Sequence, residues 1–298
     1  LRDLGEGLAG FTADGELVPA AAESWDISED GLAYTFHLRE GQRWSNGDAL
    51  TAEHFVAGML RLVTPSTAAI YAPMIVDIEN AGSIIAGDAA PDALGVEAID
   101  DRTLVLRLSR PRPYMVSLLT HPRTFPVHPG SIAVHGDAFA RPGKLVSIGA
   151  YRLDDWVAGS VVALKRNEHY WNNGATAVDA VNYHVIVQNY AELNRYRAGE
   201  LHTTSTVPPD AFAQVREEYG DELRVAPYLG VYYYGYNMTK PPLKDNAALR
   251  QALSMAIDRE QLAEKSMGRG EAPAYSWGPP GVNNYEPTKV SFAALGKE

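Results

Sequence analysis

The sequence predicts an α/β or α+β fold built on a mixed sheet, and three observations carry that expectation. Some segments alternate apolar and polar residues with the period of a half-buried strand. Others repeat apolar residues with the period of a helix, and the two kinds interleave along the chain. The spacers between neighbouring strand segments are short enough to close hairpins. With 298 residues, 46% hydrophobic and 21% charged, the composition is that of a globular chain of about two domains. A chain of this size can bury a core without a disulfide or a metal.

The first clear strand is Ala33-Tyr-Thr-Phe-His-Leu38, and an Asn-Gly turn follows within Trp44-Ser-Asn-Gly-Asp48. Thr51 suits the N-cap of a helix running to about Val63, with Phe55, Met59, Leu60 and Leu62 at core spacing. Residues 96–99 and 103–108 flank Asp100-Asp101-Arg102 as a hairpin, and 150–157 pairs with 161–165 across Ala158-Gly159-Ser160. Beyond these come a strand at 181–187, helices at 190–198 and 209–219, strands at 223–226 and 231–237, and a helix from about 246 to 257. Proline-rich clusters at 111–113, 122–129 and 241–242 are the expected crossings between lobes.

Charge and composition exclude several function classes. The 26 basic against 37 acidic side chains leave a net charge of −11, the wrong sign for neutralising phosphates or for adhering to anionic membranes. There is no cysteine, so disulfides, thiolate metal sites and a thiol nucleophile are all excluded. No apolar run approaches the roughly 20 residues of a membrane span. No basic-then-apolar signal segment precedes Leu1, and the chain opens at Arg2-Asp3-Leu4 as though inside an element. A fragment is therefore expected, with any export signal outside these residues.

The motifs that suggest chemistry have plainer explanations. Gly5-Glu-Gly-Leu-Ala-Gly10 fits the dinucleotide fingerprint by letter, with Glu23 at a plausible ribose distance, but only four residues precede it and a turn follows. His121, His128 and His135 recur every seven residues, yet Pro122, Pro126 and Pro129 forbid the single helix that would align them on a metal. Glu53-His54 lacks the second histidine of a zinc-protease helix, and Asp100-Asp101 reads as a turn. No nucleophile elbow or phosphate loop is present. The sequence thus predicts no catalytic residue, no metal site and no cofactor. Tyrosine is the positive signal: Tyr228, Tyr232, Tyr233, Tyr234 and Tyr236 lie within nine residues, and Tyr71 sits in a loop. Such side chains can line a core equally well as a pocket, where they offer a flat apolar face with a polar tip.

Several long stretches together resemble the periplasmic oligopeptide-binding proteins of the dipeptide/oligopeptide solute-binding family (family 5) of ABC importers. They begin with Arg2-Asp-Leu-Gly-Glu-Gly-Leu8 and Leu17-Val-Pro-Ala-Ala-Ala-Glu-Ser-Trp25. The stretch from Ser28 to Gly41 follows and runs into Trp44-Ser-Asn-Gly47. Gly149-Ala-Tyr151, Arg166-Asn-Glu-His-Tyr-Trp171 and Asn194-Arg-Tyr-Arg-Ala-Gly-Glu200 continue the series in order. Pro227-Tyr228, the Tyr232–Tyr234 segment, Asn237 and Leu253-Ser-Met-Ala-Ile-Asp-Arg259 complete it, so the blocks span essentially the whole chain.

The resemblance implies an α/β, type II periplasmic-binding-protein fold of the Venus-flytrap kind, with an extra α/β lobe and the far ligand lobe largely missing. Residues 1–17 and 131–229 would form a discontinuous first ligand-binding lobe, 18–130 the extra lobe, and 230–298 the start of the second ligand-binding lobe. Tyr71 and His121 match pocket positions of the extra and first lobes, and Tyr228 and Tyr233 match positions on the hinge side. Ser205 precedes the helix at Pro208-Pro209 near the cleft, and Arg2 falls near the same cleft. Gly235 stands where close relatives carry a glutamate, and Met267 falls near a lysine position, which puts the preferred peptide length in question. The implied role is capture of short peptides outside the cytoplasm, by a monomer that docks on a membrane ABC permease, with no nucleic-acid partner. Periplasmic or other extracytoplasmic placement is expected, with lipid anchoring as one form of it. Alternatives within the fold are dipeptides, nickel complexes, haem or oligosaccharides as cargo. A hydrolase, or a domain for sensing without transport, would be a different class.

Overall fold

The first unit of the chain, Leu1–Val185, is dominated by hairpins, as its strand periods and short turns require. The computed structural model describes residues 2–226, 228–282, 285–288 and 290. Strands β1 (Ala9–Phe11) and β2 (Leu17–Pro19) form a two-stranded antiparallel ribbon. The main sheet follows, built from β3 (Ala22–Ile27) and β4 (Ala33–Leu38). Next come helices α1 (Ala52–Val63) and α2 (Ala81–Ala86), then β5 (Val96–Ala98) and β6 (Thr103–Arg107). The sheet order is β3-β4-β6-β5, antiparallel throughout.

Register explains why one face of this sheet is dry. Tyr34 pairs with Leu106 and Phe36 with Leu104, so four buried side chains share a face. Helix α1 covers that face with Phe55, Met59, Leu62 and Val63, spaced as a helical stripe. Each such side chain, fully buried, contributes about 1.5–3 kcal/mol. Trp44, Ile75, Ile78 and Ile84 close the same core. Thr51 is the N-cap of α1, as its sequence position suggests, and its backbone N–H donates to Nδ1 of His54 at 3.0 Å. Leu60 lies at the edge of the core, only partly buried.

Two short helices, α3 (Met115–Leu118) and α4 (Pro129–His135), lead to a second sheet of β7 (Tyr151–Val157), β8 (Val161–Arg166) and β9 (Ala180–His184). Here too every pairing is antiparallel. The mixed sheet expected from the sequence is not found among the described residues, because neighbouring strands are joined as hairpins or return antiparallel through α1 and α2. The glycine motif leads into β1 and not into a helix, and the turn after it is closed by the N–H of Thr12 on the carbonyl of Glu16. Gly7 is there for close packing: a Cβ would lie 2.5 Å from the carbonyl oxygen of Leu119.

The second unit, Ile186–Glu298, is helical where it is regular. Its helices are α5 (Asn189–Arg197), α6 (Phe212–Tyr219) and α7 (Ala247–Met255), followed by short turns. A small core of Leu193, Ala211 and Val215 joins α5 to α6, reinforced by an Arg197–Glu218 ion pair at 2.6 Å. The strands expected at 223–226 and 231–237 are not formed. A strand exists only as part of a ladder, and no described residue of this unit offers a pairing edge to either segment.

Candidate ligand-binding site

Tyr71 is placed by a turn of 3-10 helix, Ala72–Ile75, for which it is the N-cap residue. A second such turn, Pro122–Thr124, begins at His121, whose Nδ1 accepts the backbone N–H of Arg123 at 3.2 Å. Pro122 suits the first position of that turn because no hydrogen is needed there. The two turns bring the Tyr71 and His121 rings to 5.5 Å between centroids. The guanidinium of Arg123 lies over the Tyr71 ring, 5.1 Å from its centroid. Arg2 acts on His121 electrostatically from the opening of the chain.

The chemistry of this group follows from those contacts. Partial burial holds the His121 imidazolium less stable than usual, and the charges of Arg123 and Arg2 push its pKa down further. The ring is therefore neutral near pH 7. With Nδ1 accepting from Arg123, Nε2 carries the proton and is a donor to any ligand oxygen. Tyr71 is 48% exposed, so about half of the residue is open to solvent. Of the six residues singled out in the sequence, Tyr71 and His121 thus meet in the first unit, and the charge of Arg2 reaches His121 there.

The other three lie in the second unit. Ser205 is held by Glu192 of α5, to which it donates through its backbone N–H at 2.7 Å and its hydroxyl at 3.2 Å. Tyr233 packs against Trp277 at 4.6 Å between centroids. Tyr228 is 88% exposed, and Tyr232 contacts Tyr234 edge-on. The structure brings no two of Ser205, Tyr228 and Tyr233 into direct hydrogen-bond or ring contact.

Sequence reasoning missed Arg123 and Trp277. For Arg123 the signal was available, since a His-Pro-Arg turn opened by a capping histidine holds the backbone of the third residue against the ring of the first. For Trp277 there was only an aromatic residue beside Gly278-Pro279-Pro280. Two of the recurring histidines serve the backbone, His121 and His128 capping successive helical turns, while His135 is the last residue of α4. Among the described residues, no group of three or more His, Asp or Glu is placed to hold a metal ion. No described helix is long and apolar enough to cross a membrane.

Comparison with known proteins now bears on this geometry. The model of the family described as "Bacterial extracellular solute-binding proteins, family 5 Middle" matches residues 16–295. The chain belongs to this family. It is 40% identical to the periplasmic oligopeptide-binding protein OppA of Escherichia coli (strain K12) over 300 aligned residues, covering all of this chain and 55% of that protein. It is 39% identical to a probable deoxycholate-binding periplasmic protein, YgiS, of the same strain, covering 96% of this chain and 53% of YgiS. Among solved structures, OppA of Haemophilus influenzae in complex with the peptide RPPGFSPFR superposes with a TM-score of 0.87 at 38% identity, covering 93% of this chain and 55% of that one. The fold is therefore that of the family 5 periplasmic binding proteins, in the α/β class. The chain spans about half the length of the curated relatives it matches.

Proposed function

We propose that this family 5 protein captures short peptides outside the cytoplasm and delivers them to a membrane ABC importer, making and breaking no covalent bond itself. The observation that carries the reading is the match along the whole chain to an oligopeptide-binding protein, together with a like fold solved around a nine-residue peptide. The site residues support it. Tyr71, His121 and Arg2 in one unit, and Tyr228, Tyr233 and Ser205 in the other, are aromatic or polar-tipped groups, and none of them sits in a catalytic arrangement. Tyrosine faces accept varied side chains, and an extended peptide satisfies its own backbone by strand addition or bridging water. Affinity then depends little on the identity of most peptide side chains.

In this reading residues 1–17 and 131–229 form the first ligand lobe, 18–130 the extra lobe, and 230–298 begin the second. Closure about a hinge encloses the guest, and the closed form is what a permease recognises. The protein acts as a monomer, in the periplasm or anchored by lipid at the outer face of a membrane. The test is calorimetry on the full-length protein with a mixed set of di- to nonapeptides and with deoxycholate. Binding of several unrelated peptides with micromolar or tighter affinity is expected. Binding of deoxycholate with no peptide bound, or cleavage of the peptides, would refute the proposal.

A further inference from the structure

We propose that Arg123 and the Nε2–H of His121 form a carboxylate-recognising subsite beside Tyr71, so that the protein prefers peptides presenting an acidic group there. The inference rests on the peptide-capture reading and names the ligand chemistry it favours at this point.

Four observations converge on it. First, the charges that act on His121 among the described residues are Arg123 and Arg2, both cations, in a chain whose net charge is −11. Positive groups have been gathered here against the overall balance. Second, no described carboxylate neutralises them. Asp3 and Glu6, the acids nearest to Arg2 in sequence, are engaged elsewhere: Asp3 accepts from the Tyr183 hydroxyl at 2.8 Å, and Glu6 accepts from Tyr170 and Trp171, each at 2.7 Å.

Third, Arg123 is oriented without being satisfied. Its guanidinium sits over the Tyr71 ring, a contact that uses the face of the cation and leaves its N–H edge available. That edge suits a two-oxygen partner, because the parallel N–H groups of a guanidinium match the spacing of a carboxylate. Fourth, the donor on His121 is fixed. Its Nδ1 is taken by the Arg123 backbone, so the remaining ring nitrogen presents a hydrogen to an incoming oxygen. A neutral amide in the same place would satisfy one of these donors and leave the charges uncompensated. A carboxylate satisfies the donors and the charges together.

Two sources can supply the carboxylate, an acidic side chain or the carboxyl terminus of the peptide, and the experiment separates them. The full-length protein is titrated calorimetrically with alanine-based tetrapeptides that carry Glu or Gln at each position in turn, with free and with amidated carboxyl termini. At one position at least, Glu is expected to bind about tenfold or more tightly than Gln, as one charge-assisted contact would give. A loss of that size on amidation instead identifies the terminal carboxylate as the source. In the Arg123→Gln variant the ratio falls to about one, and in Arg123→Lys, which keeps the charge without the fork, an intermediate ratio remains. Neutral peptides bound with equal affinity to their acidic and amidated counterparts overturn this inference and leave peptide capture standing. A ratio that survives Arg123→Gln also overturns it. No binding of any peptide overturns both.

Discussion

Two carboxyl groups, Glu6 half-buried and Asp77 buried, show how differently single residues are held. Glu6 accepts the hydroxyl of Tyr170 and the indole N–H of Trp171, while Arg39 lies 3.9 Å over the Trp171 ring. Burial outweighs these contacts and raises the Glu6 pKa above its ordinary value. Between the ordinary value and its own, the folded state holds more protons than the unfolded one, so stability falls as pH rises through that window. Glu6→Gln is expected to remove this slope at small cost, since its amide oxygen can accept from Trp171 and its NH2 can donate to Tyr170. Glu6→Ala leaves both donors without a partner and should cost about 1–3 kcal/mol, read from denaturant midpoints at pH 7. Asp77 is the opposite case. It is paired with Arg112 and, at 2.6 Å, with Arg110, and these contacts, that with Arg112 first, hold its pKa below the ordinary value despite burial. Its stabilisation is present above the ordinary aspartate pKa and is lost as pH falls through its own lower value. Asp77→Asn should therefore cost roughly 1.5–3 kcal/mol at neutral pH and flatten the acid limb of the stability profile; an unchanged acid limb would refute the assignment. Neither group could be read from the sequence, because both partnerships join residues far apart in the chain. Asp100 could be, because its partners are the N–H groups of Arg102 and Thr103 next to it, both at 2.8 Å.

Elements were legible to the extent that their causes are local. The period-2 run at Ala33–Leu38, the capping residue before α1 and the hairpin spacers each act within a few residues, and all of them formed. The strands expected at 223–226 and 231–237 failed for the opposite reason: a ladder needs a partner, and periodicity alone does not supply one. Helix α1 also carries a feature that helix propensity misreads. Gly58 lies in its middle, where alanine ordinarily improves a helix by about 0.8–1 kcal/mol. Here a Cβ would stand 2.7 Å from the carbonyl oxygen of Phe125 and 3.2 Å from Cα of Pro126. Main chain cannot swing aside as a flexible side chain does, so either α1 or the Phe125-Pro126 segment, which directly follows the Pro122–Thr124 turn, must shift. That turn begins at His121, which ties helix packing to the candidate site. Gly58→Ala is expected to lower stability by about 1–3 kcal/mol, as overpacking does, and to weaken peptide binding in the full-length protein. A stabilised variant with unchanged binding would show that the close approach has no consequence.

At the scale of the whole chain, the two units differ in how much apolar surface they have removed from water. The first buries a continuous core from Leu8 to Ile148, with Phe36, Phe55, Ile75, Leu104 and Leu106 fully enclosed. The described part of the second has a core of Leu193, Ala211 and Val215, with three half-buried neighbours. Helix α7 has no buried residue at all, although its amphipathic pattern made it readable from the sequence. Tyr228, Tyr232 and Trp277 stand largely in solvent. Local opening free energy follows the apolar contacts that must be broken, so protection against hydrogen exchange should be graded in the same order. In the 298-residue chain, amides of β4, β6 and α1 are expected to exchange slowest, at a rate set by unfolding of the whole first unit. Those of α5 and α6 should be intermediate, and those of α7 should exchange orders of magnitude faster. In the full-length protein a bound peptide that contacts the second unit as proposed should slow exchange there more than in the first unit's core, because only the weaker unit has protection to gain. Equal protection of α7 and α1 in the isolated chain would contradict the argument, since it would mean that buried apolar contact does not set local stability in this molecule.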